Sequence, residues 1–496
     1  MDASQKISPF QLTCLLLLGR VFTVIIWKPQ LTEAGSGLLA ALLSPVAQFV
    51  LVLAVMKLLS LLKESEGNGW LHKAIHKLIQ VAGLVFFLWA AGWSAVSCGR
   101  FISRSFYDGM YPFFFIGLML LAGCFAVFQG LEAIARTAPI VVLLTTLGLL
   151  LLGLGAAGSM HLRYLPPLTL SVKGTAQMAL GSGAMNFELW ALLFLQPYAT
   201  KPLKKRAIAI WLGLVALLSI ATTLTVMLTL GYYAEGVEYP VLAVARCAHF
   251  SMTARLDPVL MGIWILLGLT KISMFLFLAA QLWRQLFLTG AWAWRQGGMA
   301  AGLVCCMVAL SGCGRGGDTI GAKTIVTMLE VEQGNRCVVR AEYRIVGSGE
   351  GEADYGIYTA QGENLQKALE ALERKESVRL FMESCRVAVI QGTREDGHTA
   401  DLLEEMNACG DIRPLTAIFL SDKELLTDDK DKAVSIGRSL EKLFKKNGGI
   451  LEENYTLKDS IACERDPRIS LILPVVKPND RGDGVWFIEM KTSKKG

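Results

Sequence analysis

Apolar runs long enough to cross a bilayer as helices, about 20 residues each, follow one another through the first part of the chain. They lie near residues 9–27, 37–62, 75–98, 112–135, 137–160, 176–197, 207–233 and 258–288, joined by short loops. The pattern predicts a multi-pass α-helical membrane domain of eight spans, with a shorter ninth apolar run at 298–312. Beyond it the period changes. Leu365, Ala368, Leu369 and Leu372 repeat at the spacing of a half-buried helix. Ala433, Ile436, Leu440, Leu443 and Phe444 mark another, whose exposed face is basic. KTIVTMLEVE and RCVVRAEYRIV flank Gln333-Gly334-Asn335, a hairpin signal. CRVAVIQG and LTAIFL are β-rich runs with a helix expected between them at 399–408. The tail is therefore expected to be an α/β domain.

Charge follows the same division. Residues 1–313 carry 21 Lys and Arg against 10 Asp and Glu, and residues 314–496 carry 27 against 32. The first part belongs in lipid and the second in water. Lys63, Lys73, Lys77 and Arg136 would lie in cytoplasmic loops if the N-terminus is inside, as would the cluster Lys204-Lys205-Arg206. The basic excess thus needs no nucleic-acid partner. With eight spans from an inside N-terminus, the run at 298–312 would cross outward and place 314–496 on the outer side. The eleven cysteines are scattered with no C-x-x-C pair, so neither a metal site nor a disulfide framework is indicated.

Two spans carry breaks. Gly19-Arg20 interrupts LLLLGRVFTVIIW, and Gly181-Ser182-Gly183 opens GSGAMNFE, which includes Asn186 and Glu188. Irregular backbone at membrane depth is tolerated where it lines a cavity or protein interior. Two broken helices facing each other are how many transporters build a site for a small zwitterion. Glycines in spans also serve close helix packing, and for Gly19 alone that reading is the stronger one. Arg20, Glu132, Glu188 and Lys271 are ionisable residues inside spans, and each is a functional candidate because an unpaired charge there costs several kcal/mol. Lys271 is expected either at the ligand or as a structural partner of Glu188 or another carboxylate. Trp89 and Trp93, four apart on one helical face, read as packing.

Two stretches point to a family. MNFELWALLFLQPYATKPLKKRAIAIWLGL (185–214) and YPVLAVARCAHFSMTARLDPVLMGIWILLGLTKIS (239–273) resemble the permease-type B subunit of nutrient germinant receptors of spore-forming bacteria, the GerAB family. ISPFQLTCLLLLG (7–19) is similar to that family's first span. The resemblance implies a transporter-like fold of the amino acid–polyamine–organocation superfamily, with broken first and sixth helices. It also implies a site between those helices that senses a small nutrient, often an amino acid. Gly19, Arg20, Gly181, Ser182, Gly183, Asn186, Glu188 and Lys271 are the candidate ligand-binding residues. Family members have ten spans, and here the pattern changes after eight.

What replaces the last two is WAWRQGGMAAGLVCCMVALSGC (292–313), which has the parts of a lipoprotein signal: Arg295, an apolar run and Leu310-Ser311-Gly312-Cys313. The Cys313 thiol is the group that would accept diacylglycerol, the one cofactor-like group expected. QGENLQKALEALERKESVRLFMESCRVAVIQGTREDG (361–397) then resembles the first domain of the lipoprotein C subunit of the same receptors, the GerAC family. LTAIFLSDKE (415–424) and LILPVV (471–476) fit its later strands. The division expected is a permease-like domain over 1–290, a lipoprotein-signal-like span over 291–313 and an exterior domain over 314–496. In the tail no phosphate loop, nucleophile elbow or metal cluster is legible, and His398 is expected in a surface loop. The whole reads as a spore germination receptor component rather than an enzyme, placed in the spore inner membrane with other receptor subunits as partners. An amino-acid transporter with an appended domain is the alternative.

Overall fold

Ser8-Pro9-Phe10-Gln11 is a helix start written in sequence, and the computed structural model contains it. The Ser8 hydroxyl accepts from the Gln11 amide at 3.2 Å, and Gln11 Oε1 accepts from the Ser8 amide at 2.9 Å. That reciprocal capping box launches α1 (Pro9–Ile26). The structure describes residues 6–26, 34–64, 70–105, 112–184, 186–248, 257–287, 323–334, 336–344, 355–392, 398–409, 412–426, 435–446, 455–465, 472–478 and 486–492. The run at 298–312 and Cys313 lie outside them. Two units divide the chain, the first formed by 1–158, 167–225 and 248–319, the second by 159–166, 226–247 and 320–496.

In the first unit α1 is followed by α2 (Ala34–Glu64), α3 (Trp70–Ser105), α4 (Pro112–Gln129), α5 (Leu131–Ala156), α6 (Val172–Ala184) and α7 (Glu188–Leu195). The long α8 (Lys205–Leu230) runs into the second unit, which holds the short α9 (Pro240–Cys247), and α10 (Asp257–Phe287) returns to the first. Among the described residues seven helices are each long and apolar enough to span, and α6 with α7, bent by 40°, makes an eighth when the pair is taken as one span. The eight expected spans are therefore present. Their burial is unequal: 83% of the span in α10 is buried but only 22% of that in α8. Apolar residues such as Leu143, Leu147, Leu150 and Leu154 on α5 stay exposed, as a lipid-facing stripe should. The helix richest in buried side chains, α10, packs against α1, α3, α4 and α5.

Two expectations about the membrane helices need correction. The first helix is not broken: α1 is continuous through Gly19 and Arg20. The fourth and fifth spans meet at Gly130, not near 136. Its φ of 91° lies in the left-handed region that glycine alone enters freely, and it forms the N-cap of α5. Glu132 consequently falls in the first turn of α5, where it pairs with Arg136 at 2.6 Å, and both side chains are exposed. It is thus one half of an exposed ion pair at a helix end rather than a lone charge.

The second unit is built on a mixed sheet. Its elements in order are β1 (Lys323–Gln333), β2 (Cys337–Arg344), β3 (Tyr355–Gly362), α11 (Leu365–Glu376), β4 (Arg379–Phe381), β5 (Val387–Gln391), α12 (His398–Ala408), β6 (Ala417–Ser421), α13 (Ile436–Lys446), α14 (Leu457–Arg465), β7 (Ile472–Pro478) and β8 (Trp486–Thr492). The strand order is β3-β2-β1-β5-β6-β7-β8, with β4 alongside β1. The expected hairpin is β1–β2, in register Gln333↔Cys337. The parallel strands β5 and β6 are joined through α12 and pair Val389 with Phe419. Both strands read as continuous apolar runs because helices cover a parallel sheet on its faces. His398 opens α12 rather than sitting in a loop. Met328, Val387, Val389, Phe419, Ile436 and Leu440 share one core.

Two buried carboxylates tie this core together. Glu342 on β2 accepts from the Ile436 amide (2.7 Å), the Ser435 hydroxyl (2.7 Å), the Gly437 amide (3.2 Å) and the Thr327 hydroxyl (2.6 Å). It thereby caps the N-terminus of α13 from another element, where free amides favour an anion. Glu330 on β1 accepts from the amides of Leu425 and Leu426, both at 2.8 Å, and from Gln391 at 2.9 Å. Burial pushes its carboxyl above the usual carboxylate range, against these hydrogen bonds.

Candidate functional site

Asn186 and Phe187 lie between α6 and α7, and an ionisable residue stands against each side of the gap. The last turn of α6 exposes carbonyls that no further helical amide reaches. Arg20 Nη2 donates to the carbonyl of Ser182 (3.2 Å) and to its hydroxyl (2.7 Å). A cation at a helix C-terminus is favoured by the peptide dipoles. Across the gap, Glu188 is the first residue of α7, where the same dipoles favour an anion. The Asn186 amide finds the Gly183 carbonyl at 3.1 Å, so the turn between the half-helices keeps that bond.

Glu188 is fully buried, and so is Lys271 on α10, whose Nζ lies 2.8 Å from Glu188 Oε1. The same ammonium donates to the Thr23 hydroxyl (2.7 Å) and the Gly19 carbonyl (3.1 Å), both on α1. Its three protons thus meet three oxygens. Around it stand the rings of Phe22, Phe187, Phe275 and Trp93, with centroids 5.4, 5.6, 5.7 and 5.9 Å from Nζ. Ring faces attract a cation most where water is absent. Lys271 is therefore the partner of Glu188, one of the two roles expected of it, and Trp93 is part of its cage.

The glycines differ in purpose. A Cβ on Gly19 would stand 2.7 Å from Glu188 Oε1, so the carboxylate needs that position bare. This explains why α1 carries glycine there without breaking. A Cβ on Gly183 would meet only Gln48, at 3.8 Å, an ordinary contact. Gly181 lies in the last turn of α6, half-buried.

Sequence reading missed Gln48, Ser44 and Thr23. The Asn186 side-chain amide donates to Gln48 Oε1 (2.7 Å), whose own amide donates to the Ser44 hydroxyl (2.7 Å), which donates to the Ala179 carbonyl (3.1 Å). This relay runs from the gap through α2 back to α6. A lone glutamine in an apolar span was the available signal. Four buried polar atoms at the gap have no hydrogen-bond partner among the described residues. They are Glu188 Oε2, Asn186 Oδ1, and Nε and Nη1 of Arg20. Each such atom costs about 1–3 kcal/mol if nothing meets it. Among the described residues no group of three His, Cys, Asp or Glu is placed to hold a metal ion.

A bundle of long apolar helices with a bent helix pair and a buried ion pair against it, followed by an α/β domain, defines a permease-like membrane protein with an appended α/β module. Residues 6–309 match the family model described as spore germination protein, and residues 323–478 match that of the spore germination protein N-terminal domain. The chain belongs to the spore germination protein family, and it joins in one polypeptide the permease-type and the GerAC-type parts of a germinant receptor. Both families are of receptor or permease type and are not known as enzymes. The first match ends four residues before Cys313. No curated protein matches the chain.

Proposed function

We propose that this germinant receptor component binds a small zwitterion, an amino acid, at the gap between α6 and α7, and that binding there is the signal for germination. The observation that carries the reading is the set of unmet polar atoms. Glu188 Oε2 and Asn186 Oδ1 accept hydrogen bonds and suit an ammonium group. Arg20 Nε and Nη1 donate and suit a carboxylate. A ligand bearing both charges meets all four. Gly19, Gly181 and Gly183 keep the approach free of side chains, Ser182 holds the guanidinium, and Lys271 neutralises the far oxygen of Glu188. To act as a receptor, the protein must bind the ligand better in one conformation than in another.

In this reading the membrane is the spore inner membrane, the GerAC-type domain lies on its outer side, and that domain couples occupancy to other receptor subunits. Cys313 carries diacylglycerol through its thiol. Lipid labelling of the full chain, abolished by Cys313→Ala, tests that point. An unlabelled wild-type chain removes it.

The deciding experiment measures amino-acid binding and uptake by the purified chain, in detergent and then in liposomes. Saturable binding without uptake, lost in Glu188→Gln and Arg20→Gln, supports the receptor. Uptake supports the alternative, a transporter with an appended domain. Binding untouched by either substitution places the ligand elsewhere.

A further inference from the structure

Helix α14 carries too many polar residues to be buried on every side by a hydrophobic core, yet Leu457 through Cys463 are all buried. Lys458 and Asp459 are only 4% and 3% exposed. Its Leu457 edge belongs to the sheet: the Leu457 amide donates to the Thr416 carbonyl beside β6 at 2.8 Å. Something else must satisfy the charged edge. Within the second unit that role falls to the two stretches from the earlier part of the chain, 159–166 and 226–247.

Lys458 Nζ donates to the Thr229 carbonyl (3.2 Å) and stands 4.8 Å from the centroid of the Tyr164 ring. Asp459 accepts from the Tyr164 hydroxyl and pairs with Arg163 at 3.6 Å. At the other end of the helix Arg465 pairs with Glu235 while its guanidinium grips Glu404 on α12 at 2.6 and 2.7 Å. Beyond the helix, the Tyr233 hydroxyl donates to the Ile412 carbonyl at 2.8 Å. Gly236 lies so close to Asn407 that a Cβ would overlap its amide.

The charges are arranged reciprocally. Arg163 faces Asp459 near one end of α14, and Glu235 faces Arg465 at the other. Turning the helix around would set Arg163 against Arg465 and Glu235 against Asp459, so the pairs fix direction as well as attraction. We propose that stretches 159–166 and 226–247 form a docking platform whose occupant is α14 of this same chain. The contact keeps residues 314–496 attached when the polypeptide is severed between 288 and 322. This inference does not depend on the nutrient site.

The test places a specific protease site within 288–322 of the full chain, cuts the purified protein in detergent, and follows both fragments through size exclusion. The wild-type fragments should co-elute. The R163E/E235R double variant sets like charges at both ends of α14 and should lower retention of the tail fragment at least tenfold. Gly236→Leu, which drives a side chain into Asn407 without altering charge, should give the same loss and covers the case in which the double variant does not fold. Wild-type fragments that part on cutting overturn the proposal. So does a tail fragment that stays fully bound in Gly236→Leu.

Discussion

Lys271 Nζ and Glu188 Oε1 stand 2.8 Å apart with neither side chain exposed, one on α10, the most buried of the spanning helices, and the other at the start of a half-helix. Removing one member of such a pair strands the other charge, at a cost of about 3–5 kcal/mol. Lys271→Met or Glu188→Gln alone should lower the thermal midpoint of the full chain in detergent sharply. The K271M/E188Q double variant should recover most of that loss. If the double variant is as unstable as the sum of the singles, the pair does not act as a unit.

Gly19→Ala places a methyl where the Glu188 carboxylate now sits. The helix itself gains propensity from alanine, so α1 should stay folded while the carboxylate shifts. Amino-acid affinity is expected to fall by about tenfold or more, equivalent to about 1.4 kcal/mol, with a smaller drop in the thermal midpoint than Glu188→Gln gives, because the shifted carboxylate keeps its charge near Lys271. Gly183→Ala, which meets only an ordinary contact, should have the smaller effect. Titration of both variants checks the order.

Glu342 caps α13 from a strand rather than from the helix's own preceding residue. Glu342→Ala leaves the amides of Ile436 and Gly437 and the hydroxyls of Ser435 and Thr327 short of their acceptor. A loss of about 3 kcal/mol is expected, read as faster hydrogen exchange in α13 than in β5 or β6. Equal exchange in wild type and variant would refute the capping role.

Glu330 supplies a pH dependence with a definite sign. Its folded value is raised by burial, so folding takes up a proton. The stabilisation is fully present below the ordinary glutamate value of about 4.3 and is lost as pH rises through the folded value. Denaturant unfolding of the second unit should therefore become easier as pH rises across that window. The slope should flatten in Glu330→Gln. A slope of the opposite sign would mean that the hydrogen bonds from Leu425 and Leu426 outweigh desolvation.

The spans were legible because lipid demands long apolar runs, and the sheet because its parallel centre is a pair of apolar strands with a helix between. What escaped reading did so for local reasons. The polar pair Glu132 and Arg136 drew the fourth boundary toward itself, while the true joint is Gly130, between Gln129 and Leu131. Tyr355–Gly362 mixes glycine, tyrosine and threonine without alternation, so β3 gave no period to follow. LKDSIACER has no apolar stripe because its polar edge is buried too. At the site, Arg20, Ser182, Asn186, Glu188 and Lys271 were legible as oddities in apolar spans. The Lys271–Glu188 pair was legible as one of two alternatives; that Arg20 meets the end of α6 was not, since nothing in the sequence reveals which helix end it reaches. Gln48 and Thr23 were passed over as uncharged.

The glycine joint between α4 and α5 bears on how the protein is made. One residue between two spans leaves no loop to wait at the surface while the second is synthesised. The two helices must enter the bilayer as a single hairpin, so a soluble tag inserted at Gly130 would obstruct membrane insertion where one placed in a longer loop would not.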